Sequence, residues 1–286
     1  METSKNKAIL VVSFGTSHRD TCTKTIEAVE QEIQENFPGY VVYRAWTSGM
    51  IRRKLLKRDG VRIFSVSEAL EQIKADGIRL VVVQPTHILN GVDKQQMLQE
   101  VKEKSADFEQ ISVGDPLLST QQDCYKVADI LVKVWKSEKI EEDEMLIFMG
   151  HGICCEKAKD EQNICEEEAD RKQQENPVYE EINQRFREKG YPGILVGAME
   201  GEPGIGKMLE AARKEKVRKV VLMPFMVVAG KHAVSDLAGE REDSWKSVFE
   251  REGYEVRCVL KGLGEYEEIR RMFLEHADDA AKSLIS

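Results

Sequence analysis

The chain has 286 residues, and at about 150 residues per domain that is room for two domains that each bury a core. Apolar residues make up 41% and charged residues 33%, the balance of a globular protein and not of a disordered tail. The 42 basic and 51 acidic side chains give a net charge of −9, which argues against nucleic acid or an anionic membrane as partner, and no apolar run approaches the ~18 residues of a membrane-spanning helix.

Residues 1–7 are polar and lead straight into Ala8-Ile9-Leu10-Val11-Val12, which is not the pattern of a signal peptide. A cytoplasmic location is expected, with the six cysteines, none in a C-x-x-C pair, as thiols. The first β-branched run predicts a strand over 8–13, followed by a helix over 21–36 and a strand over 41–46. A helix over 67–75, with Ser65 and Glu68 spaced as a capping box, precedes strands over 80–84 and 111–114. A helix over 120–135 then leads to strands over 145–149, 193–197, 217–223 and 255–260, and a last helix covers 266–284. Strands alternating with helices from end to end predict doubly wound parallel sheets in an α/β fold.

Four strands fall in each half, and the halves resemble each other. Gly15 and Gly152 end similar strands at an offset of 137, and the strands ending in Pro85 and Pro224 match at an offset of 139. Two similar domains, 1–137 and 138–286, are therefore expected, with a ligand cleft between them. The segment 156–175 stands apart: eight of its twenty residues are acidic and four are basic, Cys165 lies inside it, and Cys154-Cys155 stand just before it. Adjacent cysteines rarely ligate one ion together, so a solvated insertion is the simpler reading.

In open parallel sheets ligands bind beyond the carboxyl ends of the strands. In the first half those positions hold Ser13, Phe14, Thr16 and Ser17, then Thr47 and Ser48, then His87, the candidates for binding substrate. In the second half they hold His151 between two glycines, Glu200, and His232. Two imidazoles and a carboxylate suit a borderline divalent ion, although any one of them alone would read as a hydrogen-bonded loop residue. His18 and His276 fall at a helix start and inside a helix, where surface roles are the default. Gly201 to Lys207 imitates a phosphate loop, but Met208 stands where Ser or Thr would hold Mg²⁺. Arg52, Arg53 and Lys54 are basic residues that could meet anionic substrate groups, with a solvated helix face as the alternative.

With these residues in place, the chain resembles the anaerobic, CbiK-type cobalt chelatases that act on sirohydrochlorin, in the class II chelatase group that includes ferrochelatase. The resemblance runs from Leu10 to His276. It rests on Val11-Val12-Ser13-Phe14-Gly15-Thr16-Ser17, Thr47-Ser48-Gly49-Met50, His87-Ile88-Leu89-Asn90-Gly91, Phe148-Met149-Gly150-His151-Gly152, Gly197-Ala198-Met199-Glu200, Gly230-Lys231-His232-Ala233 and Asp243-Ser244-Trp245-Lys246.

The resemblance implies a two-domain chelatase fold and insertion of Co²⁺ into a tetrapyrrole without ATP or another cofactor. His151, Glu200 and His232 match the family's metal-site residues. Fe²⁺ or Ni²⁺ in place of Co²⁺, a related tetrapyrrole, a carrier without turnover and a homo-oligomer all stay open. One departure is visible: Ile153-Cys154-Cys155-Glu156 stands where the family usually has a further His, and an Asn-x-x-Tyr helix resumes only at Asn176-Pro177-Val178-Tyr179.

Overall fold

The computed structural model describes residues 6–141, 143–152 and 175–284. All eight expected strands form, in two four-stranded sheets. The first contains β1 (Lys7–Ser13), β2 (Val41–Trp46), β3 (Leu80–Pro85) and β4 (Gln110–Val113) in the order β2-β1-β3-β4. The second contains β5 (Glu144–Gly150), β6 (Ile194–Ala198), β7 (Lys219–Phe225) and β8 (Glu255–Cys258) in the order β6-β5-β7-β8. Every pairing is parallel. The two sheets thus share one strand order, as a duplicated unit requires.

The central strands are apolar without alternation because both their faces are covered. The helix expected over 21–36 divides at Thr25 into α1 (Arg19–Lys24) and α2 (Ile26–Asn36). Thr25 leaves the helical region and its hydroxyl donates to the Thr21 carbonyl at 2.6 Å, offering the backbone an alternative partner. Beyond β2 come α3 (Gly49–Asp59) and α4 (Val66–Ala75), the latter opened by the Ser65–Glu68 capping box. Ala8, Leu10 and Val12 of β1 pack with α4 and with Met97 and Val101 of α5 (Val92–Lys104). Ile9 and Val11 alternate to the other face.

Three further helices, α6 (Gln121–Ser137), α7 (Pro177–Glu188) and α8 (Ile205–Glu215), belong with the second sheet, as does α9 (Trp245–Arg251). Met145, Ile147 and Met149 of β5 pack with Met208 and Ala212 of α8 and Trp245 and Phe249 of α9. The opposite face carries Phe148 and Phe225, and Tyr179 of α7 meets the Phe225 ring edge-on at 5.5 Å. Buried Asn183 of α7 takes both backbone groups of Val196, accepting its N–H at 2.7 Å and donating to its carbonyl at 2.8 Å.

The chain divides into one compact unit of Met1–Ser119 with Gly264–Ser286, and another of Thr120–Leu263. This differs from the division expected at 137/138. α6 packs against α7, so it joins the second unit, while the terminal helix α10 (Glu267–Lys282) returns to the first, against α2, β3 and β4. There Arg270 pairs with Glu32 at 2.8 Å and the Ser112 hydroxyl donates to the Ala280 carbonyl at 2.8 Å. An amphipathic stripe shows that a helix covers a sheet but does not say which one.

Candidate metal centre

In both units the sheet hydrogen bonding runs on past the strands and fixes where the loop residues sit. In the first unit, Thr47 donates its N–H to the Ser13 carbonyl at 2.9 Å, Ser48 to that of Phe14 at 3.2 Å, and Thr86 to that of Val12 at 2.8 Å. Ser13, Phe14, Thr47, Ser48 and His87 therefore stand at one sheet edge. The Thr86 hydroxyl donates to buried Ser13 Oγ at 2.8 Å, and Thr16 Oγ1 accepts from the His18 N–H at 3.2 Å. Ser17 Oγ accepts from Lys54 Nζ at 3.1 Å, and Ser48 Oγ caps α3 by accepting from the Ile51 N–H at 3.4 Å.

Several polar atoms at this edge have no partner. Trp46 Nε1, Thr47 Oγ1 and both ring nitrogens of His87 are buried without a hydrogen bond. Burial and the nearby Lys94 ammonium hold the His87 imidazole down to about 4, so it is neutral near pH 7. Phe14, by contrast, leaves 46% of its surface exposed beside these groups. Arg52 is tied to Glu68 at 3.1 Å.

In the second unit, the Met199 N–H donates to the Gly150 carbonyl at 2.8 Å and the Glu200 N–H to that of His151 at 2.9 Å. The loops after β5 and β6 are thereby held backbone to backbone. Two glycines make the approach possible. A Cβ on Gly150 would stand 2.3 Å from the Tyr179 hydroxyl, and one on Gly152, at φ +86°, would stand 2.0 Å from the Glu200 carbonyl oxygen. The fully buried Tyr179 oxygen accepts from the Gly152 N–H, while burial drives the phenol well above its usual range. Asn176, also buried, donates from its side-chain amide to the carbonyls of Glu202 at 2.9 Å and Glu200 at 3.2 Å. Asn176 and Tyr179 thus brace the backbone of His151 and Glu200 from behind.

His232 comes from the loop after β7. The structure sets its ring 5.2 Å from that of His151, centroid to centroid, at 84°. His232 Nδ1 lies 2.6 Å from Asp236 Oδ2, a partner that the strand-end rule does not reveal, although a spacing of four residues on a helical turn is its signal. Glu200 Oε2 is buried with no hydrogen-bond partner. A carboxylate oxygen out of water and unpartnered is costly unless a cation completes it. Among the described residues, no three His, Cys, Asp or Glu side chains stand together as a preformed metal cluster. The structure therefore pairs the imidazoles and leaves Glu200 at the same sheet edge, not gathered with them.

The remaining candidates fall elsewhere. Lys207 of the phosphate-loop lookalike is 3.5 Å from Glu202, and that segment serves to open α8. His18 stands at the start of α1 with no capping hydrogen bond from its ring, and His276 on α10 sits 3.2 Å from the Asp115 carbonyl. Cys154, Cys155, Cys165 and nearly all of the acidic segment lie outside the described residues. The described cysteines, Cys22, Cys124 and Cys258, are free thiols. No helix among the described residues is long and apolar enough to cross a membrane.

Two solved structures share this architecture. SirB from Bacillus subtilis with Fe³⁺ superposes with a TM-score of 0.62 at 12% identity, over 97% of this chain and 96% of that one. A multi-domain protein from Deinococcus radiodurans with structural similarity to chelatases gives a TM-score of 0.54 at 13% identity, over 95% of this chain and 54% of that one. At such identities the likeness defines a fold class: paired parallel-sheet α/β units of the chelatase kind. The sequence goes further. The family model of the cobalt chelatase CbiK matches residues 7–282, and the chain belongs to that family. It is 36% identical to the sirohydrochlorin cobaltochelatase of Salmonella typhimurium, covering 96% of both chains. It is 29% identical to the sirohydrochlorin cobaltochelatase CbiKC of Nitratidesulfovibrio vulgaris, over 97% of this chain and 92% of that one.

Proposed function

We propose that this protein inserts Co²⁺ into sirohydrochlorin, without ATP, using His151, Glu200 and His232 as the groups that hold the ion and move protons. The observation that carries the reading is the imidazole pair, 5.2 Å apart at the end of β5 and after β7, beside a strand end whose Glu200 oxygen is buried and unpartnered. The family and its named relatives support the substrate and the metal.

Insertion releases two protons, because the two pyrrole N–H groups of the ring give way to two metal–nitrogen bonds. The ion must also shed water. His151 and His232 replace part of that water with neutral nitrogen donors, and Glu200 closes on the ion to offset its charge. As the ion passes to the ring nitrogens, the lone pair that His151 gives up becomes free to accept a pyrrole proton, the role we give His151, with Glu200 passing protons outward. Cobalt enters as substrate and leaves in the product. The strand-end residues of the first unit, Ser13, Phe14, Thr16, Ser17, Thr47, Ser48 and His87, are assigned to the ring. Phe14 offers an exposed aromatic face, and the unpartnered Thr47 and His87 atoms offer hydrogen bonds to carboxylates or water. Arg53 and Lys54 supply positive charge for a polycarboxylate.

The test is anaerobic turnover of purified protein with sirohydrochlorin and Co²⁺, followed by the visible spectrum of the metallated ring. Many product molecules per protein are expected. One equivalent bound with no release of product would make the protein a carrier and overturn the reading. Parallel runs with Fe²⁺ and Ni²⁺ measure metal preference, which a nitrogen and oxygen donor set does not fix by itself.

A further inference from the structure

We infer that Asp236 is a positioning residue for His232, holding the imidazole in the tautomer that turns the lone pair of Nε2 toward the metal; this rests on His232 being a metal ligand. His232 leads into a single π-helical turn, Ala233–Leu237, in which the Ala238 N–H reaches back to the Ala233 carbonyl at 3.2 Å. Such single turns are frequent at functional sites. Here the turn places Asp236 against the ring four residues earlier, with Oδ2 2.6 Å from Nδ1. The carboxylate is itself held: Arg241 Nη2 donates to its other oxygen, Oδ1, at 3.2 Å. Arg241 is fixed in turn by Asp243, through two hydrogen bonds of 2.9 Å.

The direction of the bond follows from the chemistry. A carboxylate that already receives an arginine N–H can only accept, so His232 Nδ1 must carry hydrogen. In a neutral imidazole the lone pair then lies on Nε2, on the far side of the ring. Side-chain exposure runs the same way: Asp236 retains 19% and His232 retains 41%, so the carboxylate lies behind the ring and the ring faces outward. A carboxylate behind a metal-binding histidine fixes the ring and raises its basicity, and its loss typically lowers metal affinity 10- to 100-fold. The Arg241 and Asp243 pairs extend that support onto the loop before α9.

The experiment measures Co²⁺ binding, with the metal alone as probe, by visible absorption and calorimetry on the wild type, Asp236→Asn, Asp236→Glu, His232→Ala and the His232→Ala/Asp236→Asn pair. Thermal melts verify that each variant is folded. Asp236→Asn is expected to weaken Co²⁺ binding about 10- to 100-fold, to raise the KM for Co²⁺ more than the KM for the tetrapyrrole, and to change nothing further once His232 is absent. Asp236→Glu, which keeps the charge, should restore part of the loss. If Asp236→Asn binds Co²⁺ as the wild type does while His232→Ala does not, the inference is wrong and the metal site stands. The inference is equally wrong if Asp236→Asn costs as much without His232 as with it. If His232→Ala binds Co²⁺ normally, the metal-site assignment itself falls, and the inference with it.

Discussion

The two units repeat one scaffold and differ at its edge. Both sheets have the same strand order, and equivalent turns leave β1 and β5 through glycines at positive φ, Gly15 at +100° and Gly152 at +86°. The prolines late in β3 and β7 even keep register, with Val12 opposite Pro85 and Met149 opposite Pro224. Past those points the chemistry separates. The first unit ends its strands in hydroxyls, an exposed phenylalanine and one buried neutral imidazole, whereas the second ends them in two adjacent imidazoles and a carboxylate. Apolar burial builds both units alike, and a few residues beyond the strands decide what each can bind.

The sharpest way to break that comparison is to remove the imidazoles. His151→Ala and His232→Ala should each lower Co²⁺ insertion by about 10²-fold or more, while His87→Phe, at the matching edge of the first unit, should act mainly on the KM for the tetrapyrrole; steady-state anaerobic kinetics separates the two. A smaller effect is expected from the paired glycines. Gly152→Ala drives a Cβ against the Glu200 carbonyl oxygen, part of a hydrogen-bonded backbone, and the displaced loop should cost roughly 10- to 100-fold in kcat. Gly15→Ala instead meets the Trp46 ring at 2.6 Å. It should lower the melting temperature of the first unit and leave Co²⁺ binding to the second intact, read by calorimetry.

Asn183→Ala should destabilise the second unit by about 1–3 kcal/mol in a urea melt, since it strips both partners from the Val196 backbone in a buried position. Stability should also depend on pH. The His87 imidazole takes up its proton at about 4 in the folded protein against 6.5 in its ordinary state. The unfolded chain therefore binds the proton first as pH falls. His87 lends stability that is complete above 6.5 and is lost as pH drops toward 4. His87→Phe should flatten the stability profile across that window in denaturant melts, and it removes the two unpartnered ring nitrogens of His87.

Much of this is legible in the chain. The eight strands stand out because β-branched runs such as Val81-Val82-Val83 and Val220-Val221-Leu222 have no polar alternation, the mark of parallel strands covered on both faces. His151, Glu200 and His232 emerge from the strand-end rule, since a parallel sheet brings all its carboxyl ends to one edge. The rule places residues at an edge but does not set side-chain distances, and the structure gathers the imidazoles without gathering Glu200. The break at Thr25 is hidden because the apolar stripe of α1 and α2 continues through it. The allegiance of α6 and α10 is hidden because their partners are set by long-range contacts such as Arg270 with Glu32. Tyr179 is visible only as part of a family motif; that its oxygen accepts the Gly152 N–H behind the loop after β5 emerges only from the fold.

The most direct test of the central claim is the initial rate of Co²⁺ insertion into sirohydrochlorin by folded His151→Ala protein, measured anaerobically beside the wild type. A loss of about 10²-fold or more at an unchanged melting temperature is the predicted result. Insertion at the wild-type rate would contradict the placing of the chemistry at the strand ends of the second unit.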